Sequence, residues 1–202
     1  MEQFEVEIRD LIESEIEGIR NIPIDRSIQD AVNLIFSHTH ERGGKVIVSG
    51  LGKAGQIGHN IATTLSSTGT PAVFLHPTEA QHGDLGILQR NDVLFLISNS
   101  GKTKEIIELM SLAHKLFPEL KSISLTGHPE NELGRITNVC LSTGYPKEVC
   151  PLGLTPTTST TVMTVLGDVI VVLMMNKIGF TKADYAKRHH SGYLGEKSRN
   201  DE

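Results

Sequence analysis

Residues 45–76 read KVIVSGLGKAGQIGHNIATTLSSTGTPAVFLH. This stretch predicts a short apolar strand, a glycine-rich turn, a helix and a second apolar strand. The turn, Gly50–Gly55, has the spacing G-x-G-x-x-G and opens the helix. Its free backbone N–H groups and the positive end of the helix dipole would attract an anion. That anion is either the pyrophosphate of a dinucleotide or something smaller.

The surroundings of this turn favour the smaller anion. A dinucleotide site needs an acidic residue about 20 positions further on, at the end of the second strand, to hold a ribose. That strand ends in Phe74-Leu75-His76-Pro77, and the nearest carboxylate is Glu79. Lys53, inside the turn, is also unusual for the dinucleotide fingerprint.

Strand and helix patterns alternate along the chain. Apolar runs predict strands at 45–49, 72–76, 92–98, 121–125 and 138–142, and helical patterns lie at 54–67, 103–117, 130–136 and about 157–178. Continuous apolar strands are typical of a parallel sheet that helices cover on both faces. We therefore expect an α/β fold with a doubly wound, flavodoxin-like, five-stranded parallel sheet. Ligands of such sheets bind beyond the carboxyl ends of the strands, and we expect the functional loops there.

The two ends of the chain predict separate regions. Residues 2–19 and 25–41 have helical apolar spacing, and the first of these helices has little of its own domain to cover. This first helix is therefore predicted to contact another subunit. We expect N-terminal helices over 1–40, a central domain over 41–180 and a C-terminal tail over 181–202. The tail is very polar, and we expect it to fray beyond Glu196.

Composition narrows the classes of partner and compartment. A length of 202 residues suits one substantial core, and a net charge of −5 disfavours nucleic-acid binding. The acidic N-terminus does not resemble a secretory segment, and the longest apolar run, Val169–Met175, is too short to span a membrane. We expect a soluble, cytoplasmic protein without nucleic-acid or membrane partners, in which Cys140 and Cys150 are reduced.

Two hydroxyl-rich segments are candidate ligand loops. The third strand runs into Ser98-Asn99-Ser100-Gly101-Lys102-Thr103, but the glycine that a P-loop requires is replaced by Leu96. Such a loop at a helix N-terminus suits a phosphomonoester, although a plain helix cap is the alternative. A second segment, Thr155–Thr161, either caps a buried helix or lines the same pocket.

Several titratable residues have no role that the residues alone decide. His76 and His82 lie six positions apart without a third metal ligand at a recognisable spacing, so hydrogen bonding to a polyol or a structural role is favoured. For Glu105, Glu148 and His189, the sequence alone favours solvated side chains over catalytic ones.

Taken together, these segments resemble the SIS (sugar isomerase) domain and, within it, the arabinose-5-phosphate isomerases. The matching text is GLGKAGQIG, STGTPAVFLHPTEAQHGDLG, ISNSGKT, LTGHPENELG and KEVCPLGLTPTTSTT, within about residues 40–195. The resemblance implies interconversion of ribulose 5-phosphate and arabinose 5-phosphate through a cis-enediolate. This reaction begins the biosynthesis of Kdo for lipopolysaccharide or capsule and needs no cofactor. The family also implies a homotetramer whose active sites are built from more than one subunit.

The resemblance also implies roles for particular residues. The positions regarded as catalytic in the family are Lys53, Glu105, Glu148 and His189. Those implied to bind substrate are Gly52, Gly69, Thr70, His76, His82, Ser98, Asn99, Ser100 and Thr103. No metal is required, although His76 matches a position that is associated with zinc in some relatives.

Three departures from the family pattern affect these expectations. Lys102 replaces the usual glutamate, and His189-His190-Ser191-Gly192 replaces His-Pro-Gly-Gly, which makes His190 a second candidate for the catalytic histidine. A tandem CBS pair, common in relatives, does not follow, so we expect any feedback ligand, such as CMP-Kdo, to act at the sugar site. Two alternatives remain open. One is another SIS isomerase, acting on 6-phospho-3-hexulose or sedoheptulose 7-phosphate; the other is a non-catalytic sugar-phosphate sensor.

Overall fold

The protein folds around a five-stranded parallel sheet. The computed structural model describes residues 2–200, so Met1, Asp201 and Glu202, at the ends of the predicted terminal regions, lie outside the description. The strands are β1 (Val46–Gly50), β2 (Ala72–Phe74), β3 (Val93–Ile97), β4 (Lys121–Thr126) and β5 (Val139–Ser142). Their order is β2-β1-β3-β4-β5, and every adjacent pair is parallel. This is the predicted flavodoxin-like order.

Helices connect and cover these strands. They are α1 (Glu2–Arg20), α2 (Arg26–Phe36), α3 (Lys53–Ser67), α4 (Pro77–Gln81), α5 (Lys104–Leu116), α6 (Glu132–Ile136), α7 (Thr158–Ile178), α8 (Lys182–Ala186) and α9 (Gly192–Asn200). A π-helical turn over Ser37–Glu41 continues α2. The short helix α4 was not predicted. The tail was expected to fray beyond Glu196, whereas α9 continues to Asn200.

Two apolar layers enclose the sheet. One contains Val48 together with side chains of α2, α3 and α7. The other contains Ile47 together with side chains of α4, α5 and α6. Successive strand residues therefore point into different layers, and all five residues of β3 are buried. Burial on both faces explains why the strands are continuously apolar rather than alternating.

The long helix α7 is the main core helix on the first layer. By length and composition alone it could cross a membrane, with a mean hydropathy of 1.7. Half of it is buried inside the protein, however, and Val162, Leu166 and Ile170 lie in the first apolar layer. The helix ends at Gly179, whose φ of 65° provides the left-handed cap. Its hydrophobicity therefore serves to cover the sheet.

The N-terminal helix α1 is attached to the domain mainly through its last turns. Gly18 is buried, and this part of α1 packs against α7. The earlier turns carry large apolar side chains that are more than half exposed, among them Phe4 at 67% and Ile12 at 53%. The apolar face that the sequence predicted is thus only partly covered within one chain.

Candidate active site

The glycine turn brings the start of α3 close to the end of β1. A Cβ atom at Gly50 would lie 2.7 Å from the carbonyl oxygen of Ala54, and one at Gly55 would lie 2.7 Å from that of Gly50. Side chains at these two positions would therefore push the helix away from the strand. Gly52 has a φ of 61° and precedes the first helical residue, Lys53, whose side chain is exposed. The turn thus delivers a lysine to the carboxyl edge of the sheet.

The serine loop follows β3 at the same edge. Ser98 is buried, and its hydroxyl lies 2.7 Å from the hydroxyl of Thr103, the residue that precedes α5. The Ser100 hydroxyl accepts a hydrogen bond from the N–H of Lys102 at 3.2 Å, and Gly101 allows the tight bend with a φ of 62°. The first N–H groups of α5 have no acceptor within the helix. The loop therefore presents hydroxyl and N–H donors together.

A cavity of about 320 Å³ lies between the glycine turn, the serine loop and the start of α7. Its lining includes Leu51, Lys53, Ala54, Ile97, Ser98, Asn99, Ser100, Thr103, His128, Pro156, Ser159, Thr160 and Met163. The Asn99 Oδ1 atom is buried and has no hydrogen-bond partner among the described residues. Such an unpartnered buried oxygen is uncommon in native proteins. The volume is at the lower end of the usual range for small-molecule sites.

Glu148 is held at the start of α7 by three hydrogen bonds. Its Oε2 accepts from the N–H of Thr157 at 2.7 Å, from the Thr157 hydroxyl at 2.9 Å and from the N–H of Ser159 at 3.2 Å. Burial raises the pKa of Glu148, but the hydrogen bonds from Ser159 and Thr157 outweigh burial and lower the pKa overall. The carboxylate is therefore ionised at neutral pH and also caps the positive end of the α7 dipole.

The four residues predicted as catalytic are not all brought together within one chain. Lys53 lines the cavity, and Glu148 is linked to the cavity wall through Ser159. Glu105 is half-buried in the first turn of α5 but is not part of the lining. His189 lies in the tail, where its ring stacks on Tyr185 with centroids 3.7 Å apart.

The second candidate for the catalytic histidine lies apart from the cavity. His190, with Lys187 and Arg188, lines a groove against α3 and β2. The choice between His189 and His190 stays a prediction, since neither lines the cavity of its own chain.

The two histidines after β2 flank the short helix α4. His76 caps this helix, and its Nδ1 accepts a hydrogen bond from the N–H of Thr78 at 3.3 Å. His82 ends the helix, and both side chains are exposed. Among residues 2–200, no group of three or more His, Cys, Asp or Glu side chains is close enough together to hold a metal ion. One chain therefore does not surround His76 with the ligands that zinc would need.

Gly69 and Thr70 lie at the other edge of the sheet. They precede β2, whereas Ser98 follows β3, and the strands are parallel. A five-residue strand separates the two edges by roughly 15 Å. The expectation that the candidate loops all lie at the carboxyl edge is thus wrong for this pair. Thr70 is buried inside its own chain, with its hydroxyl 3.3 Å from Nε2 of His40, so its side chain is not exposed to a substrate.

Among the polar residues that line the cavity, His128 was not singled out from the sequence. His128 follows β4, and its Nδ1 lies 2.9 Å from a carboxylate oxygen of Glu130. Ser159 and Thr160 belong to the hydroxyl segment that was expected either to cap a helix or to line the pocket. That segment does both, because Ser159 lines the cavity while its N–H holds Glu148. Only the hydroxyl content of the segment signalled this in the sequence.

The residues that line this cavity lie in a segment that matches a known protein family. The model of the SIS domain matches residues 40–173, from the π-helical turn after α2 to the last turns of α7. The chain belongs to the SIS domain family. The cavity described above lies within the matched SIS domain.

Relatives with similar sequences are longer than this SIS protein. The arabinose 5-phosphate isomerase KdsD of Salmonella typhimurium is 42% identical over 189 residues, which is 94% of this chain and 56% of the relative. That of Pseudomonas aeruginosa is 47% identical over 152 residues, 75% of this chain and 46% of the relative. The chain thus spans about half the length of the curated relatives it matches.

Solved structures of similar length share the SIS fold. A Bacteroides fragilis protein, proposed to be a phosphosugar isomerase involved in capsule formation, is 58% identical with a TM-score of 0.93. The alignment covers 94% of this chain and 99% of that one. A protein of E. coli CFT073, solved in complex with arabinose 5-phosphate, is 32% identical with a TM-score of 0.86, and the alignment covers 93% and 97% of the two chains.

Proposed function

We propose that the protein is an arabinose-5-phosphate isomerase, which interconverts D-ribulose 5-phosphate and D-arabinose 5-phosphate. The observation that carries the proposal is the ionised Glu148, fixed beside a cavity that also contains Lys53 and the serine loop. A base, a cation and a phosphate-sized anion site are the parts that aldose–ketose isomerisation of a sugar phosphate needs. The identities to the KdsD relatives support the same reaction.

The proton transfer between C1 and C2 needs a base above the enediol carbons. Glu148 is our preferred base, because its carboxylate is ionised at neutral pH and is held beside the cavity by Thr157 and Ser159. Glu105, in the first turn of α5, is the second candidate. General base catalysis contributes about 10²–10⁴-fold, whereas enzymes usually achieve at least about 10⁶-fold. Further stabilisation of the enediolate is therefore required.

Lys53 is proposed to provide this stabilisation. Its ammonium group is the cation that follows the glycine turn, and its side chain lines the cavity. As charge develops on the oxygens of the cis-enediolate, a fixed cation in a cavity lowers the energy of the transition state more than that of the ground state. The N–H groups of the glycine turn would add to this effect, with Gly52 leaving room for the sugar.

The serine loop is proposed to anchor the phosphate. Ser98, Asn99, Ser100 and Thr103 surround one end of the cavity, at the N-terminus of α5. A dianion bound there would gain hydroxyl and N–H donors together with the helix dipole, and Lys102 would add positive charge. Binding of the remote phosphate would hold the reacting carbons near Glu148 and Lys53.

Apart from Thr70, the remaining predicted residues would come from neighbouring subunits. His189, which would assist ring opening, and Gly69 do not reach the cavity of their own chain, whereas Thr70 is buried and is not proposed to contact substrate directly. His76 and His82 are exposed and do not line the cavity of their own chain, and we propose that they would bind sugar hydroxyls in the site of an adjacent chain. We propose a homotetramer with shared active sites, in which the exposed apolar face of α1 forms part of the contact.

The proposed reaction needs no redox cofactor and no metal. Proton transfer between two carbons of one sugar is redox-neutral overall, and Lys53 can supply the positive charge. His76 therefore has no proposed role as an obligatory metal ligand.

Substrate preference separates this proposal from the alternatives. Purified protein should convert ribulose 5-phosphate to arabinose 5-phosphate at least tenfold faster, in kcat/KM, than it converts hexulose or heptulose phosphates. Faster turnover of a hexulose or heptulose phosphate would replace the proposed substrate with another SIS isomerase substrate. Tight binding of all three without turnover would favour the sugar-phosphate sensor.

The wider context remains part of the proposal. Arabinose 5-phosphate would feed Kdo synthesis for lipopolysaccharide or capsule in the cytoplasm, where its phosphorylated precursors are made. CMP-Kdo is proposed as a feedback ligand at the sugar site. Arabinose-5-phosphate kinetics that do not change at saturating CMP-Kdo would remove this part.

A further inference from the structure

A second carboxylate, Glu15, reaches the start of α7 from the N-terminal helix. Its Oε1 accepts a hydrogen bond from the Thr158 hydroxyl at 3.1 Å, across 143 positions of sequence. Its other oxygen, Oε2, is buried and has no hydrogen-bond partner among the described residues. A carboxylate with a buried, unpartnered oxygen is costly, so this position needs an explanation beyond packing.

The contact continues beyond Thr158 to the loop that carries Glu148. The Thr158 hydroxyl, while donating to Glu15, accepts from the N–H of Val149 at 3.2 Å. A hydroxyl has one proton to donate, so the bond to Glu15 leaves its lone pairs oriented toward Val149. The main chain next to Glu148 is thereby tied to α1.

Three successive residues at the start of α7 hold Glu148 and the backbone beside it. Thr157 and Ser159 bind its carboxylate, whereas Thr158, between them, binds the neighbouring backbone and Glu15. Any movement of Thr158 would also move the two N–H donors on either side. The orientation of Glu148 and of its donors therefore depends on a residue that is remote in sequence.

Gly18 makes this approach possible. It lies three residues after Glu15, on the same face of α1, and a Cβ atom there would come within 2.5 Å of a methyl carbon of Thr158. It would also contact Pro146, in the loop before Glu148, at 3.5 Å. The missing side chain lets α1 lie directly against both segments. This close packing would hold Glu15 in a constant position relative to Thr158.

We propose that Glu15 is a positioning residue, which sets the geometry of Glu148 through Thr158 and so connects the N-terminal helix to the reaction. The role in turnover rests on the proposed function, but the structural coupling does not. The helix α1 is then more than a contact surface. Displacement of its last turns would change the base without touching the serine loop, and kcat rather than KM should respond.

The charged groups around Glu148 offer a matched control. The opening beside it is lined by Asp10, Glu13, Glu17 and Arg20 of α1 and by Lys147. Glu13 is exposed, two residues from Glu15 on the same helix. The variant Glu13→Gln removes the same charge without breaking the hydrogen bonds through Thr158.

Steady-state kinetics of the full chain test the effect on turnover. Misplacement of a base can lower rates by up to about 10²-fold, so we expect kcat of Glu15→Ala to fall about 10- to 100-fold with little change in KM. Glu15→Gln keeps an oxygen that accepts from Thr158 and should restore kcat to within about threefold of the unmodified protein. Equal kcat values, per folded molecule, in Glu15→Ala and Glu13→Gln would refute the positioning role.

A titration that needs no turnover tests the coupling itself. The side-chain carboxyl carbons, labelled with ¹³C, are followed by NMR, and Glu148→Gln identifies the Glu148 signal. In Thr158→Val, which keeps the charge of Glu15, the N–H donors should loosen and the pKa of Glu148 should rise by about half a pH unit or more. Glu15→Ala also removes a negative charge near Glu148, which by itself lowers the pKa, so the rise there should be smaller than in Thr158→Val. In Glu13→Gln the pKa should stay unchanged. An identical pKa in all variants would overturn the inference even if the protein is an active isomerase, and the predicted shift would support it even if turnover proved absent.

Discussion

Replacement of Glu148 by glutamine separates its catalytic role from its structural role. The amide has nearly the same shape, and its oxygen can still accept from the N–H groups of Thr157 and Ser159. It cannot take a proton from a sugar carbon at neutral pH. We therefore expect kcat to fall about 10²- to 10⁴-fold, the usual contribution of a general base.

The expected loss of stability is much smaller. Hydrogen bonds to a charged acceptor are about twice as strong as neutral ones, and a charge at a helix N-terminus contributes about 0.3–1 kcal/mol. Weakening three such bonds while keeping their geometry should cost about 1–3 kcal/mol in total. At about 2–4 °C per kcal/mol for a chain of this size, Tm should fall by about 2–12 °C.

The stabilisation of the fold by Glu148 should depend on pH. Because the pKa of Glu148 is lowered in the folded protein, ionisation of the carboxylate stabilises the fold above its ordinary pKa of 4.5. That stabilisation is lost as the pH falls through the lowered value. The Tm difference between the unmodified protein and Glu148→Gln should be largest at neutral pH and should shrink below about pH 4.

The assay is conversion of ribulose 5-phosphate at saturating substrate, with folding checked by thermal unfolding from pH 3 to pH 8. Glu105→Gln is measured in the same assay as Glu148→Gln, and the variant with the larger loss of kcat identifies the base. Near-normal turnover in both variants would refute the assignment of a glutamate as base. A Tm loss that does not depend on pH would refute the structural account of Glu148.

Three further predictions use other parts of the site. Lys53→Met should lower kcat about 10²- to 10³-fold, as loss of an oxyanion-stabilising group does, with Tm nearly unchanged because the side chain is exposed; normal kcat would remove it from the mechanism. Ser98→Ala removes the hydroxyl that lies 2.7 Å from the hydroxyl of Thr103. The factor by which KM for arabinose 5-phosphate rises should be about ten times the factor by which kcat falls. A change in kcat alone would contradict the phosphate anchor. Hydrogen bonds from Thr155 and from nearby backbone N–H groups lower the pKa of the Cys150 thiol to about 6, whereas burial raises that of Cys140, so iodoacetamide at pH 7 should label Cys150 first by mass spectrometry; equal labelling would contradict this difference.

Much of the fold was predictable because its signals are local. A continuous apolar run such as Val93–Ile97 predicts a buried strand whatever its position in the fold. The glycine turn predicts a strand and a helix in close contact. The short helix α4 was missed, since five residues carry too little periodicity to be recognised. The final helix α9 was missed because its polar composition is typical of a frayed tail.

The candidate site was only partly predictable for a related reason. Glycines, hydroxyls and Lys53 mark their own loops, and the parallel sheet brings loops after β1 and β3 to one edge. No local pattern says that Glu148 will cap α7, or that His128 will line the cavity. The position of Thr70 was also not predictable from its neighbouring residues. Thr70 lies at the amino edge of the sheet because it precedes β2 and β2 runs parallel to β1.

The sequence by itself determined the order of strands and helices, the anion-binding character of two turns and the residue types available for isomerase chemistry. These depend on interactions between residues a few positions apart, where periodicity and turn preferences act. The tertiary structure alone decided that Glu148 meets Thr157 and Ser159, that Glu15 meets Thr158, and that His189 stays away from the cavity of its own chain. The contact of Glu15 with Thr158 joins segments 143 positions apart, which meet only because burial of apolar surface packs α1 against α7. The contacts of Glu148 span a loop of irregular conformation, for which no periodic pattern in the sequence exists.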